Sequence, residues 1–234
     1  MAKLYLGSRE ITPIKTIQGQ SSEFANYKVT NGVASKISGP LAGNEFSNIT
    51  SVADNGMEYS FYECHNITGK LDLSSITSVG VNGLQHAFYS CERITSVDLS
   101  SLTTIAEGGF NRTFLWCSEL ESVDLSSLTT VGESGLTDAF SRTNIESVSF
   151  PSLSFIDSEG FFWAFSNCYN LKTLYFNSLN SNSFDGSETN FQWMLDGCSD
   201  VTVHFPVDLE AVIGDWWDVI DGFGGSNTTV LFDL

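Results

Sequence analysis

Three aspartates recur at the same position of a repeated segment, where their carboxylates could act together. Asp72, Asp98 and Asp124 each stand before the tripeptide Leu-Ser-Ser. If the repeats stack like strands of a sheet, these carboxylates form a ladder with a spacing of about 4.8 Å. Neighbouring carboxylates serve glycoside hydrolysis and calcium binding, and their mutual repulsion in water at this spacing is below about 1 kcal/mol.

The ladder also fits an outward-facing strand position with no chemical role. The same position continues as Ser149, Tyr175 and His204. Because the repeats fill it with side chains of unlike chemistry, we interpret the ladder as surface filling. We expect no catalytic residue and assign no metal site. A cation held by Asp72, Asp98 and Asp124 is left open.

All five cysteines fall at a second repeated position. They are Cys64, Cys91, Cys117, Cys168 and Cys198, and Thr143 stands there in the remaining repeat. Parallel, side-by-side Cβ vectors are poor disulfide geometry, and Thr143 indicates that the position selects a small side chain. We therefore predict buried, reduced thiols. The three histidines occupy three different repeat positions, so we expect no metal cluster and no cofactor.

The element that positions these residues is a repeat of about 26 residues. The hexapeptide LSSLTT stands at 99–104 and again at 125–130, and the units start at 44, 71, 97, 123, 148, 174 and 203. The intervals between these starts are 27, 26, 26, 25, 26 and 29 residues. A period of this size is typical of a solenoid, in which each coil packs on a copy of itself.

Each unit has two parts. The first has the apolar spacing of a short strand. The second begins at a recurrent glycine and places apolar residues at offsets +1, +4, +5 and +8, which predicts a short helix. The glycines are Gly56, Gly83, Gly109, Gly135 and Gly160. The sequence thus predicts an α/β solenoid of about six coils, with one strand and one short helix per coil. A file of Phe61, Phe88, Phe114, Phe140 and Phe165, closed by Leu195, is the expected spine of its core.

Composition excludes some classes of partner. The chain has 234 residues, 28 of them acidic and 10 basic, for a net charge of −18. We therefore expect no binding to nucleic acid or to anionic membranes. Neither a secretion signal nor a run of 18 apolar residues is present in the sequence as given. We expect no membrane insertion.

The segments outside the repeat predict three regions. Residues 1–42, with strand-like arms around an Asn-Gly turn, are expected to form an N-terminal β module for attachment or capping. Residues 43–205 are expected to form the solenoid. Residues 206–234 are expected to form a C-terminal cap, with a helix starting at Pro206 and a final strand in TTVLFDL.

Large side chains cluster at positions of the predicted helices that face away from the core. One column reads Tyr59, His86, Arg112, Asp138, Trp163, Trp193, and beside it lie Phe162, Tyr62, Tyr89, Trp116 and Tyr169. Exposed aromatic residues are typical of interfaces. The candidate binding residues are Trp163, Trp193, Phe162, Tyr59, Trp116 and Tyr169. Two alternatives stay open: packing of Trp163, Trp193 and Phe162 beneath the Trp216–Trp217 segment, and self-association.

The string IxxxGxxxAFxxCxxLxxVDL resembles the leucine-rich repeat of the BspA-like class. It is present at Val79 to Leu99, Ile105 to Leu125 and Ile156 to Phe176. The units here are a few residues longer than is usual for that class, with the additional residues beside the glycine. The resemblance implies a leucine-rich-repeat solenoid and a bacterial surface protein of the kind implicated in adhesion and host contact. Such proteins usually carry export signals.

The two ends, MAKLYLGSREITPIK and GFGGSNTTVLFDL, resemble those of uncharacterised repeat proteins from gut bacteria and their phages. The expected function is non-catalytic recognition or adhesion to a host-cell surface protein or glycan, as a phage virion appendage or a bacterial surface protein. The expected location is a virion or the extracellular surface. The alternatives are a structural virion or scaffold component that self-associates, as a trimer if it forms a fibre, and a polysaccharide-cleaving solenoid.

Overall fold

The computed structural model describes residues 4–6, 9–11, 28–30, 33–35, 49–65, 67–186, 189–213 and 224–234. Two antiparallel strand pairs lie in the N-terminal region. Strand β1 (Leu4–Leu6) pairs with β2 (Arg9–Ile11), and β3 (Lys28–Thr30) pairs with β4 (Val33–Ser35). The strand pairs predicted there are present. Their role as a module or cap stays a prediction.

The rest of the described chain is a solenoid with two rows of parallel strands. The first row consists of β6 (Gly69–Asp72), β8 (Ile94–Asp98), β10 (Ser122–Asp124), β12 (Ser147–Ser149), β14 (Thr173–Tyr175), β15 (Thr202–Phe205) and β16 (Thr229–Phe232). The second consists of β5 (Ser51–Val52), β7 (Ser78–Val79), β9 (Thr104–Ile105), β11 (Thr130–Val131) and β13 (Phe155–Ile156). Val97 pairs with Val123 and Val79 with Ile105, so residues 26 apart are neighbours. The predicted solenoid of about six coils is confirmed.

The predicted short helix in each coil is wrong. Between Gly80 and Cys91 the backbone N–H groups alternate between two acceptors. The N–H of Gln85 donates to the carbonyl of Asn82 three residues back (3.2 Å), while that of His86 donates to Asn111 in the next coil (2.9 Å). The segment is therefore a ribbon of overlapping β-turns, which we call the turn ribbon, and equivalent ribbons occur in the other coils.

Positive φ angles explain why the sequence imitates a helix. In the ribbon that starts near Gly83, φ is 51° at Asn82, 54° at His86 and 54° at Ser90. A type II turn requires a positive φ at its third residue. When every second turn of the ribbon is of type II, a positive φ recurs every four residues. The ribbon thus repeats every four residues. Over eight residues, an apolar stripe at +1, +4, +5 and +8 fits this period as well as the 3.6 of a helix.

The recurrent glycine is required by space at the start of the ribbon. A Cβ on Gly109 would lie 2.9 Å from Ile105 Cγ2 and 3.0 Å from the carbonyl oxygen of Ala106. These contacts are too short for any side chain, so the ribbon packs directly against the preceding strand.

The core follows the predicted files of side chains. The rings of Phe61, Phe88, Phe114, Phe140 and Phe165 stack, with successive centroids 5.0, 5.5, 5.8 and 5.5 Å apart. All five cysteines are buried free thiols, as predicted. Cys117 Sγ donates to the carbonyl of Phe88 at 3.2 Å, and Cys91, Cys168 and Cys198 make the equivalent bond to the preceding coil. Burial raises the pKa of Cys64 and of Cys168 to about 11.

One coil is a residue shorter than its neighbours, and the first row is interrupted beside it. The coil that starts at Val123 has 25 residues, because Thr143-Asn144-Ile145 replaces the four-residue segment that runs from Cys117 to Leu120. Strands β10 and β12 then belong to separate sheets. An open groove of about 510 Å³ lies over them, and Val123 is only partly buried, although its neighbour Val97 is 2% exposed.

At the C-terminal end, the chain passes through a 3₁₀ turn (Val207–Leu209) and helix α1 (Glu210–Ile213) into β16, which pairs in parallel with β15. The predicted final strand is confirmed. The remainder of the predicted cap helix, with Trp216 and Trp217, lies outside the described residues, and the region boundaries at 42 and 205 stay predictions. Among the described residues, none of the helices has the length and apolar character that a membrane crossing requires.

Candidate functional site

The turn ribbons of five coils line a groove of about 580 Å³, which we call the turn-face groove. Three files of side chains line it. The first file is Tyr59, His86, Arg112 and Asp138; the middle file is Tyr62, Tyr89, Leu115, Ser141 and Ser166; the third is Trp116, Arg142 and Asn167. The middle file shortens from tyrosine through leucine to serine. The space that a tyrosine fills in the first two coils is therefore left open above the two serines.

The first two coils form an aromatic end of the groove. Tyr59 stacks on His86 with ring centroids 4.6 Å apart and 7° between the planes, and Tyr62 stacks on Tyr89 at 4.6 Å and 5°. The coil spacing sets both distances, because each pair consists of equivalent residues in adjacent coils. The four rings form a preorganised platform, since offset stacking holds each pair in one arrangement.

His86 is held neutral in this cluster. Burial, with a contribution from the positive charge of Arg112, lowers the pKa of His86 to about 4. Its Nδ1 atom is buried and has no hydrogen-bond partner among the described residues. At neutral pH the imidazole therefore acts as an aromatic ring and carries no charge.

The opposite end of the groove is polar and carries charge. Arg112 Nε donates to Asp138 Oδ2 at 3.1 Å, and Asp138 is 8% exposed. Burial raises the pKa of Asp138, and the guanidinium of Arg112 opposes that rise. The guanidinium carbon of Arg142 lies 4.4 Å from the ring centre of Trp116, a cation–π contact.

A short chain of hydrogen bonds fixes the two serines at this end. Ser141 Oγ donates to the carbonyl of Ser166 at 2.9 Å, and Asn167 Nδ2 donates to Ser166 Oγ at 2.7 Å. The hydroxyl of Tyr169 donates to Asn167 Oδ1 at 3.0 Å. The polar surface here is rigid, which favours recognition of a ligand with fixed hydroxyl and amide positions.

The first file carries large side chains on a backbone that disfavours them. The φ angles are 56° at Tyr59, 54° at His86, 54° at Arg112 and 54° at Asp138. For residues other than glycine and asparagine this conformation costs roughly 1–2 kcal/mol each. The same conformation recurs in the other turn ribbons, for example at Ser90, Ser134 and Trp193, so it is a property of the ribbon and does not single out the groove.

The structure separates the six predicted binding residues into two groups. Tyr59 and Trp116 line the turn-face groove. Phe162 and Trp163 lie outside its lining and contact each other, with ring centroids 4.5 Å apart. Trp193 and Tyr169 also lie outside the lining, with 42% and 65% of their surface exposed. The alternative packing beneath Trp216 and Trp217 falls on residues outside the described part of the chain.

The column that runs from Tyr59 to Trp193, which the sequence predicted to face away from the core, is partly buried. Asp138 is almost covered, because the turn ribbon turns its side chain toward Arg112 of the neighbouring coil. The sequence analysis also omitted five lining residues, namely Leu115, Ser141, Arg142, Ser166 and Asn167. An alignment of the repeats shows the signal for the serines, since two small residues replace tyrosines in one column. Nothing in the alignment singles out Arg142.

The aspartate ladder is formed, and each carboxylate has a local structural role. The register pairs Asp72 with Asp98 and Asp98 with Asp124. In each case Oδ1 accepts from the backbone N–H two residues on, at Ser74 (3.0 Å), Ser100 (3.2 Å) and Ser126 (3.0 Å). This Asx turn explains the repeated Asp-Leu-Ser-Ser. Lys70 Nζ donates to Asp98 Oδ2 at 2.8 Å, and this hydrogen bond lowers the pKa of Asp98.

Metal binding has no structural support in the described part of the chain. No group of three or more His, Cys, Asp or Glu side chains is placed there to hold a metal ion. His204, the last histidine, stacks on Tyr175 at 4.6 Å, and its Nδ1 lies 2.8 Å from Asp233 Oδ1.

Comparison with known proteins identifies the repeat. A family model described as BspA type leucine rich repeat region matches residues 45–172 in six copies, more than half of the 234-residue chain. No curated protein matches the chain. The crystal structure of a leucine rich cell surface protein from Faecalibacterium prausnitzii A2-165 is similar, with a TM-score of 0.23 and 13% identity over 82% of this chain and 83% of that chain.

Proposed function

Because the chain belongs to the BspA-type leucine-rich repeat family, we propose that it is a non-catalytic recognition or adhesion protein that binds a protein or glycan on a cell surface through the turn-face groove. The observation that carries the proposal is the groove itself. It combines stacked aromatic rings, an ion pair between the half-exposed Arg112 and the buried Asp138, and two serines on a solenoid scaffold. Concave sites with aromatic walls and few fixed polar groups are typical of ligand binding.

A catalytic role receives less support than recognition. The carboxylates of the ladder cap turns, and one of them is paired with Lys70. The proposal includes two settings, a bacterial surface protein and a phage virion appendage, both of which present the solenoid to a cell.

Two exposed tryptophans provide a matched test of the groove. Trp116 is 44% exposed with φ 67°, and Trp193 is 42% exposed with φ 59°. Asparagine tolerates this backbone conformation, so Trp116→Asn and Trp193→Asn remove a similar ring at similar backbone cost. Labelled full-length protein is applied to an array of cell-surface glycans and proteins. We expect Trp116→Asn to weaken the retained ligands at least about 10-fold, because buried aromatic anchors dominate binding energy, and Trp193→Asn to change little.

If Trp193→Asn weakens binding and Trp116→Asn does not, the binding site lies in the region of Trp163 and Trp193. Equal binding by the wild type and both variants would contradict binding through the turn-face groove. Melting temperatures of the variants are compared, so that loss of binding is separated from loss of fold.

Self-association is a second candidate, favoured by the C-terminal edge of the first row. Strand β16 is the last strand of its sheet, and no strand in the described residues pairs with its outer edge. Leu231 and Leu234 there are 39% and 40% exposed. Exposed edges promote pairing between chains. Light scattering across a range of concentrations tests this candidate: a monomer throughout argues against it.

A further inference from the structure

The following inference rests on the proposed function and names a ligand class for it. We propose that the turn-face groove prefers saccharides that carry a carboxylate, with Arg142 pairing with the carboxylate and Trp116 stacking on the sugar ring. The observation behind this proposal is that the guanidinium of Arg142 lies against the exposed indole of Trp116. Ser141 and Ser166 lie beside this pair.

Charge complementarity selects the anionic ligand. Arg112 has a carboxylate partner in Asp138 at 3.1 Å, whereas Arg142 has no ion pair within the described part of the chain. Its guanidinium carbon lies 4.4 Å from the ring centre of Trp116, which places the N–H donors beside the indole. A carboxylate of the ligand is the group that such a fork binds with two hydrogen bonds. The net charge of −18 does not prevent this, because exposed charges beyond about 8 Å are largely screened at physiological salt.

The shape of the groove at this end suits a ring with hydroxyl groups. Ser141 and Ser166 line the groove at this end, although only 3% and 5% of their surface is exposed. Trp116 is 44% exposed with Arg142 over its ring, and the apolar face of a pyranose would stack on the part of the ring that Arg142 leaves uncovered. Asn167 adds an amide beside the serines.

The backbone of the groove disfavours an acidic peptide. An extended peptide gains affinity by pairing with free main-chain groups at a sheet edge. Here the N–H groups of His86, Arg112 and Trp116 donate to the next coil at 2.9, 2.9 and 3.1 Å. The turn ribbons thus offer side chains to a ligand and no strand edge.

Two pairs of saccharides test the inference on the full chain by calorimetric titration. Tetragalacturonic acid and sialyllactose are each compared with their own methyl esters, so that uronic and sialic acids are distinguished as sources of the carboxylate. We expect at least one acid to bind at least about 10-fold more tightly than its neutral partner, as charge-assisted hydrogen bonds imply. Arg142→Gln should remove this preference and keep the neutral affinity. Arg93→Gln, at an exposed arginine outside the groove lining, should leave the preference intact.

Several results would overturn the inference. One is equal binding of acid and ester in the wild type, which requires no variant to fold. A second is a preference that survives Arg142→Gln, and a third is tighter binding of hexaglutamate than of either acid. If acid and ester bind equally and both are weakened by Trp116→Asn, the inference fails and the proposed function stands. If nothing on the array binds through the groove, the proposed function fails with it.

Discussion

At the scale of single residues, the groove depends on side chains that the backbone does not favour. His86 combines a positive φ, a ring stacked on Tyr59 and a Nδ1 atom without a hydrogen-bond partner in the described residues. The positive φ and the Nδ1 atom without a partner are both unfavourable. Stacking between coils compensates, and it leaves the imidazole neutral with a pKa of about 4.

The low pKa of His86 predicts a loss of stability in mild acid. Between pH 6.5 and about 4 the unfolded chain binds a proton that the folded chain does not. Stability is therefore lost as the pH falls through this window. A fully buried group would lose about 1.4 kcal/mol of unfolding free energy for each unit by which its pKa is shifted. Because the ring of His86 is partly exposed, solvent screening reduces the total loss to about 1–2 kcal/mol. Urea unfolding at stepped pH measures it.

The matched variant for this prediction is His86→Asn, since asparagine accepts the positive φ and does not titrate. We expect the slope of the unfolding free energy against pH to be smaller in the variant between pH 6.5 and 4. The same slope in both proteins would show that His86 titrates normally in the folded state.

At the scale of elements, the turn ribbon is the feature that the sequence analysis missed. Leu84, Ala87, Phe88 and Cys91 are all 0% exposed, so the predicted buried stripe is correct. Eight residues are too few to separate a period of 4 from one of 3.6. The discriminating signal lies in the three positive-φ positions of each ribbon, but asparagine and glycine mark them only in some coils, as at Asn82 and Gly108 for the first position and at Asn167 and Gly197 for the third. Others carry histidine, arginine and tryptophan.

Substitutions at Ser90 distinguish a turn ribbon from a helix. With φ 54°, Ser90→Val should cost roughly 1–2 kcal/mol because valine is strained there. Ser90→Gly should stay within about 0.5 kcal/mol of the wild type, since glycine relieves the strain. In a helix the order is opposite, with glycine worse than valine by a few tenths of a kcal/mol. Unfolding free energies in urea give the order directly.

The control for these variants is Gln85→Val in the same ribbon, at a position without a positive φ. We expect a change within about 0.5 kcal/mol. A cost at Gln85 equal to that at Ser90 would mean that valine is disfavoured along the whole segment for another reason.

An alignment of the repeats predicts some features of the first row of strands and not others. The 25-residue interval after Val123 was visible in the sequence. Its effect, the interruption between β10 and β12, was not, because it depends on whether the neighbouring coils absorb the missing residue. The files of phenylalanine and cysteine were predictable, since each copy of the unit repeats them independently.

At the scale of the whole molecule, every functional proposal depends on the superposition of coils. The groove contains no two residues of one file closer in sequence than 25 positions. The pairs that define it, Tyr59 with His86 and Arg112 with Asp138, are contacts between adjacent coils. The stacked phenylalanines hold the same coils in register, and burying each ring stabilises the fold by roughly 1.5–3 kcal/mol.

A double-mutant cycle on this file tests the superposition most directly. Phe88 and Phe114 lie in adjacent coils with ring centroids 5.5 Å apart, whereas Phe88 and Phe165 are separated by two intervening coils. Unfolding free energies are measured for Phe88→Leu, Phe114→Leu, Phe165→Leu and the two double variants. We expect a coupling of about 0.5–1.5 kcal/mol between Phe88 and Phe114, and additivity within about 0.5 kcal/mol between Phe88 and Phe165. Additive effects for the adjacent pair, or equal coupling in both pairs, would contradict the superposition.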